Sequence, residues 1–404
     1  MPYAIFLYTL GLSLPGIFFI NPGSVAYILY QVVSLLGIAL FILINYLKHK
    51  KKLSFLKSVL YFSFAYTGIL TATALYSIHL AIADNRSLGS IAQFLLPPAL
   101  CLVLLIGSGY SRLSPKIIDR FLGFIIVFTL FCALYGMVVN YDTIISLSSI
   151  TNSYNADIKG FFANRNIFGY MLALGAACGT FLFTKNRKKI LLPAIVILLT
   201  GTVLSMSRGA ILLYVIFLIA FILLKSKKKI KALALITTTL AIAYSTLSSF
   251  AFIQDNIIRL DNGDTGRSEL RSYGIQHFLD NNLLLGSGER AINSIEAKFQ
   301  HSSFHNLYIE TLATQGLVGF VALIVCMLYV WSNIRLIKKY DRVNYAFFAA
   351  LFFAYMVYCL IEALPLFYGT PNSALTTFVL VLLPIFMINS LKARKGYIQH
   401  EKRD

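Results

Sequence analysis

Long apolar runs recur from one end of this 404-residue chain to the other, and a single polar stretch, residues 253–313, interrupts them at length. The runs constrain the fold more than any motif does. A bilayer core takes about 20 apolar residues per helix. Lipid offers no partner to a backbone N–H or C=O, so a spanning segment must be a helix or part of a closed barrel. These runs are continuous and do not alternate, which excludes a barrel and predicts an all-α integral membrane protein. Composition agrees: 58% of residues are hydrophobic and 13% charged, against about 25% charged in soluble domains.

Polar breaks predict about twelve transmembrane helices, at roughly 3–20, 24–47, 57–80, 89–109, 119–140, 167–184, 190–206, 209–224, 232–252, 315–334, 344–366 and 373–391. The chain then reads as residues 1–252, holding helices one to nine; residues 253–313, a large external loop with helical segments; and residues 314–404, holding helices ten to twelve and a basic tail. Residues 1–20 lack a basic start and a small-residue cleavage site, so they are expected to form the first span rather than a signal.

The net charge of +19 would suit nucleic acid, but its placement does not. Lys48 and Lys50–Lys52, Arg112 to Arg120, Lys185 to Lys189, Lys225 to Lys231, Arg335 to Arg342 and Lys392 to Lys395 fall in alternate gaps between spans. Clusters so placed anchor a chain to the cytoplasmic leaflet. Both termini are thus expected in the cytoplasm and the 253–313 loop outside it, where nucleotide donors are absent. The five cysteines lie scattered in apolar runs with no ligand spacing and no disulfide pattern.

Four arginines and three of the six histidines gather in residues 253–313. Arg267 and Arg271 share a helix face after Gly266, and Arg267 lies in a first turn whose free N–H groups favour anions. For Arg271 a solvated face on an interfacial helix is the better account. Leu285-Gly286-Ser287-Gly288-Glu289-Arg290 is a glycine-punctuated turn, either a flexible link or the carrier of one arm of an anion clamp. His301-Ser302-Ser303-Phe304-His305-Asn306-Leu307-Tyr308-Ile309-Glu310 leads into the tenth span, with His305 expected on its helix. A neutral imidazole accepts a proton near neutral pH, and a nearby carboxylate or amide orients it. His301 is the rival base. Two histidines without a third ligand make no metal motif.

Outside that loop, Ser205-Met206-Ser207-Arg208-Gly209-Ala210 turns between two apolar helices. Arg208 there either snorkels to head groups or meets an anion, and its small neighbours leave room for a bulky group. Asn164 and Arg165, after Phe161 and Phe162, suit either sugar and phosphate contacts or an interfacial aromatic belt. Glu362 is read as an intramembrane acid in the eleventh span, hence functional by default, with an external arginine as its other possible partner.

Together S-M-S-R-G-A, G-R-x-E-L, the Gly-x-Gly turn, F-H-N-L-Y-I-E and T-Q-G-L-V-G-F resemble the bacterial O-antigen ligase and polymerase superfamily over roughly residues 160–335. K-G-F-F-A-N-R-N-I-F-G-Y looks more like the capsule and exopolysaccharide polymerases. The resemblance implies a GT-C-like membrane glycosyltransferase on the outer face of the inner membrane, needing no metal, nucleotide or other cofactor. Its implied donor is a glycan on undecaprenyl pyrophosphate. The acceptor is another lipid-linked glycan in a polymerase or the lipid A core in a ligase. Membrane lipid and a chain-length regulator are implied partners. The matching positions are Arg208, Arg267 and Arg290 for the pyrophosphate and His305 for the base, with Arg165, Asn164, Arg271, His301, Asn306, Tyr308 and Glu310 as accessory candidates. A flippase of lipid-linked sugars is the rival class. It predicts internal repeats and polar residues at mid-membrane, and no clear repeat is present.

Overall fold

The computed structural model describes residues 2–11, 25–48, 57–84, 88–109, 113–146, 158–234, 237–238, 245 and 266–401. Every regular element among them is a helix: α1 (Pro2–Gly11), α2 (Val25–Lys48), α3 (Lys57–Ala83), α4 (Leu88–Gly109), α5 (Pro115–Val139), α6 (Tyr141–Ile145), α7 (Arg165–Asn186), α8 (Leu191–Leu204), α9 (Arg208–Lys225), α10 (Arg267–Asp280), α11 (Glu289–Phe299), α12 (Leu307–Lys338), α13 (Arg342–Tyr358), α14 (Pro371–Thr377) and α15 (Leu383–Glu401). A π-helical turn, Phe378–Leu382, joins the last two. Six helices among the described residues are long and apolar enough to cross a bilayer, and four shorter apolar helices accompany them. This is the build of a multi-pass membrane protein. The expected ninth span lies almost wholly outside the described residues, as do the second half of the first span and residues 253–265 of the polar stretch.

Two expected spans change their bounds. The tenth helix starts at Leu307 rather than near 315 and is broken at Gly316, whose φ of 65° and ψ of −163° are not helical. The eleventh ends at Tyr358. Residues 359–366, expected as the end of that helix, are turns and irregular backbone, as are 367–370. Pro365 disfavours helix in the residue before it. Carbonyls of the segment are also taken by side chains and N–H groups far away in the chain, as described below. Glu362 is therefore not a mid-helix acid.

The chain divides into two compact units, residues 1–118, 266–340 and 359–404, and residues 119–265 with 341–358. In the first, α3 lies along α4, α12 packs on α3, and α15 packs on α12 and α4. Phe62 stacks on Tyr329 with ring centroids 3.7 Å apart, and Asn389 Nδ2 donates to the Ser108 carbonyl at 3.1 Å. In the second, α7 is the most enclosed of the helices long enough to span, and it packs against α8, α9 and α13. Small residues on α7 allow this closeness. A methyl at Gly175 would meet Thr129 Cβ at 2.8 Å, and one at Gly179 would meet Ile195 Cγ1 at 2.9 Å. All five cysteines are buried, and none forms a disulfide.

Candidate functional site

The polar stretch carries its own small core. Leu270 of α10, Ala291 and Ile295 of α11, Phe304 and Ala313 are buried together, with Tyr273, Ile292, Phe299 and Ile309 packed against them. Phe304 is fully buried, a side chain whose burial contributes about 1.5–3 kcal/mol. It reaches that place because α10 has no side chain at Gly274. A methyl there would meet Phe304 Cδ1 and Ile309 Cγ2 at 2.6 Å. The anchored phenylalanine sets the position of the next residue, His305.

The break in α12 follows the same logic. At Gly316 the carbonyls of Ala313 and Thr314 lose their helical partners, and the N–H groups of Leu317 and Val318 open a new helix. The turn before α11 satisfies all four. Ser287 N–H donates to the Ala313 carbonyl at 3.0 Å and Gly288 N–H to Thr314 at 2.8 Å. Leu317 N–H donates to Leu283 at 2.8 Å and Val318 N–H to Leu284 at 3.0 Å. The two chains meet backbone to backbone, which excludes a side chain on either. A Cβ on Gly286 would stand 2.5 Å from the Thr314 carbonyl carbon, and one on Gly316 would strike the Leu284 carbonyl. Both glycines also have positive φ, 71° and 65°, where other residues are strained. The Gly286–Gly288 turn is thus a fixed plug in a broken helix and not a flexible link.

His305 does not sit on the helix, as its sequence setting suggested. It precedes the cap in a left-handed conformation, φ 49°. Asn306 is the cap, accepting from Tyr308 N–H at 3.0 Å and Ile309 N–H at 3.1 Å. Glu310 reaches back and accepts from Ser303 Oγ at 2.7 Å and Phe304 N–H at 3.2 Å. Ser303 Oγ in turn accepts the His305 N–H at 3.1 Å. Asn306 and Glu310 therefore hold the histidine turn. Tyr308 lies in the first turn of α12, half-buried.

The same turn is joined to the segment after α13. Asn306 Nδ2 donates to the Leu360 carbonyl at 3.0 Å, and Leu307 N–H to Cys359 at 2.9 Å. Arg267, the first residue of α10, donates from Nη1 to the Ile361 carbonyl at 3.1 Å. Three successive carbonyls are thus held, and the next residue is Glu362. Its Oε1 accepts from Arg267 Nη2 at 2.9 Å, and its Oε2 lies 3.0 Å from His305 Nδ1. The Arg267 and Glu362 side chains are 28% and 13% exposed, and that of His305 is 19% exposed. A carboxylate only accepts hydrogen bonds, so in the neutral ring the imidazole proton belongs on Nδ1 and the lone pair on Nε2.

The other candidates in this unit stand apart from that trio in various degrees. The His301 ring is 5.7 Å from the His305 ring, edge on. Burial, then the charges of His305 and Arg267, hold its pKa below the ordinary imidazole value. Arg271 is half-buried, with its Nε enclosed and unpartnered among the described residues. Arg290, the second residue of α11, makes a forked pair with Asp84 at the end of α3, with Nε–Oδ2 2.8 Å and Nη2–Oδ1 2.6 Å. That carboxylate raises the arginine's pKa further.

The remaining candidates belong to the second unit. Arg208 is the first residue of α9, its side chain exposed. Its small neighbours do not leave a vacancy: Ser205, Ser207 and Ala210 are covered by α7 at Gly169, where a methyl would meet Ser207 Cβ at 2.9 Å and Ala210 Cβ at 3.1 Å. Ser207 caps α9, accepting from Ala210 N–H at 3.4 Å. Asn164 caps α7, accepting from Ile167 N–H at 2.9 Å, and Arg165 is that helix's first residue. Phe161 and Phe162 pack on each other and on Tyr135 and Phe168. Among the described residues no cluster of three or more His, Cys, Asp or Glu side chains is placed to hold a metal.

Residues 193–324 match the family model described as O-antigen ligase. The match covers about a third of the chain and supports the resemblance to the O-antigen ligase and polymerase superfamily. It takes in Arg208, Arg267, Arg290 and His305. No curated protein matches the chain.

Glu362 lies beyond the stretch that matches the O-antigen ligase model. An acid in an apolar run was a sufficient signal to suspect it, and an arginine was among its expected partners. Its link to His305 had no signal, because it depends on 359–362 leaving the helix. Gly274 and His277 were missed as structural residues for a similar reason. His277 Nε2 lies 2.7 Å from Ser287 Oγ, a contact between α10 and the glycine turn.

Proposed function

We propose that this protein is a glycosyltransferase that moves a glycan from a lipid pyrophosphate to a sugar hydroxyl on the outer face of the bacterial inner membrane. The observation that carries the reading is one carboxylate, Glu362, joined through one oxygen to Arg267 and through the other to His305 Nδ1, which leaves the Nε2 of a neutral imidazole as the basic nitrogen. Only two of the five guanidinium N–H groups of Arg267 serve Ile361 and Glu362. The basic clusters in alternate gaps support the orientation, with both termini cytoplasmic.

In this reading His305 Nε2 takes the proton of the acceptor hydroxyl as that oxygen attacks the anomeric carbon. The bond from that carbon to the pyrophosphate oxygen breaks, and its electron pair leaves with the undecaprenyl pyrophosphate. Direct displacement inverts the carbon. Arg267 offsets the charge gathering on the leaving group. Arg290 takes a share of donor binding only by exchanging Asp84 for phosphate. The lipid pyrophosphate is already activated, so neither metal nor nucleotide is called for.

The preferred acceptor is a second lipid-linked repeat unit, which makes the protein a polymerase of O-antigen, capsule or exopolysaccharide. A ligase acting on lipid A core is the second reading, favoured by the description of the matching family. Purified protein in nanodiscs, given synthetic undecaprenyl pyrophosphate repeat unit alone, is expected to lengthen the glycan. Transfer only after lipid A core is added makes it a ligase. Movement of the lipid across vesicles without any new glycosidic bond overturns the enzyme reading.

A further inference from the structure

We infer that Glu362 is a positioning residue: it sets the tautomer of His305 and ties the base to the arginine that meets the leaving group. The inference rests on the glycosyl-transfer reading above. Each Glu362 oxygen has a separate task, 2.9 Å to Arg267 and 3.0 Å to His305 Nδ1. A counter-ion for Arg267 alone would not need the second.

The segment carrying Glu362 is gripped at both ends. Upstream, the carbonyls of Cys359, Leu360 and Ile361 accept from Leu307, Asn306 and Arg267. Downstream, Phe367 N–H donates to Thr377 Oγ1 at 2.9 Å and Tyr368 N–H to Ser373 Oγ at 3.0 Å, while Ser373 Oγ–H donates to the Pro365 carbonyl at 2.5 Å. Buried Ser373 and Thr377 of α14 thus serve a loop. A carboxylate on backbone held this way keeps its direction before substrate arrives, which is what a positioning group must do. His305 has matching constraints: a left-handed φ, a buried phenylalanine before it and a capping asparagine after it. Strained backbone that its surroundings over-determine is common where geometry serves function.

Glutamine at 362 separates positioning from simple charge pairing. Arg267 only donates, so the amide oxygen must face it. The amide NH2 then faces His305 Nδ1 and requires the lone pair there. The ring proton moves to Nε2, the nitrogen the base needs bare. Donor contact at Arg267 is kept, while proton abstraction is lost.

The experiment is steady-state kinetics of the full chain in nanodiscs with synthetic undecaprenyl pyrophosphate repeat unit, comparing wild type, H305A, E362Q and the double variant. E362Q is expected to lower kcat by about 10²–10⁴-fold, as loss of general-base catalysis does, with donor KM within about threefold of wild type. The double variant is expected to be no worse than H305A, since both changes remove one proton transfer. E362Q with wild-type kcat beside an inactive H305A overturns the positioning role and leaves the base reading standing. An active H305A overturns the base reading itself. Should E362Q fail to fold, ¹⁵N NMR of the wild type, with the His305 signal identified by its loss in H305A, reads the tautomer directly. A proton on Nδ1 agrees with the assignment, and a neutral ring protonated on Nε2 overturns it.

Discussion

Arg267 and Arg290 begin neighbouring helices in the same polar stretch, and each is paired with a carboxylate, yet the pairs differ in kind. Arg290 and Asp84 have the better geometry, two parallel bonds of 2.8 and 2.6 Å, on side chains 45% and 32% exposed. Arg267 and Glu362 share one bond, in a drier place, and the acid gives its other oxygen to His305. An exposed pair is screened by solvent and salt, whatever its geometry. A single bond in a sheltered place is screened less and controls where a neighbour's proton sits. Bond count alone would therefore rank these two arginines in the wrong order for function.

The comparison breaks first at His305. H305A is expected to abolish transfer, by about 10³-fold or more, in the nanodisc assay of glycan length. Loss of under tenfold would leave Arg267 and Glu362 as an ordinary ion pair. Next comes Arg267→Ala, expected to lower kcat/KM by about 10²–10³-fold through lost charge at the leaving group. Arg267→Lys retains charge but not the planar fork that reaches both Ile361 and Glu362, and it is expected to recover only part of the loss.

Between the two arginines lies the plug in α12. Gly286→Ala and Gly316→Ala each place a methyl against opposing backbone at a positive φ, and strain of this kind costs about 1–3 kcal/mol. Both are expected to lower the melting temperature in detergent. Gly266→Ala, with a positive φ but nothing near its Cβ among the described residues, is expected to be milder. Equal losses at all three would show that conformation alone, and not the close approach, sets the cost.

The same plug holds the one contact between α10 and the turn before α11 that pH should weaken. Burial holds the His277 pKa below the ordinary value, with the charge of Asp280 a smaller opposing effect. The sign follows from linkage: the unfolded chain takes up the proton more readily, so the stabilisation is present above about pH 6.5 and declines as pH falls toward the lower folded value. Melting temperatures of wild type and His277→Gln are expected to converge between pH 7.5 and 5.5. His301 shifts in the same direction, so a fall common to both proteins is its share, and a constant gap would refute the role given to His277.

The membrane character and most helices were readable in the sequence because they depend on local runs of apolar residues. His305 and Arg267 were readable as reactive side chains in a polar stretch. What escaped is where helices stop. The run 344–366 is apolar apart from Asn344 at its start and Glu362, and beyond Pro365 the reason that 359–362 leave the helix is distant in sequence, since the carbonyls of 359–361 are taken by Leu307, Asn306 and Arg267. Gly316 in T-Q-G-L-V-G-F and Gly286 in the glycine-punctuated turn carry no sign of their pairing in the sequence, though each is explained only by the other. The small residues around Arg208 were read as space, whereas α7 fills it at Gly169.

The smallest expected effect lies at Asp84 and Arg290, and it decides whether the two arginines differ in kind or only in degree. If Arg290 exchanges its acid for donor phosphate, Asp84→Asn frees it and lowers donor KM, while Arg290→Ala raises it. The two variants then move KM in opposite directions, each by less than about threefold in kcat/KM, and added salt reduces both shifts. If the pair only fastens α11 to α3, both variants remove the same contact and shift stability and KM alike. Donor titrations at low and high ionic strength separate the two results. Opposite signs would place Arg290 beside Arg267 as a donor contact. Equal signs would leave Arg267, through its shared carboxylate, the only one of the two with a place in the chemistry.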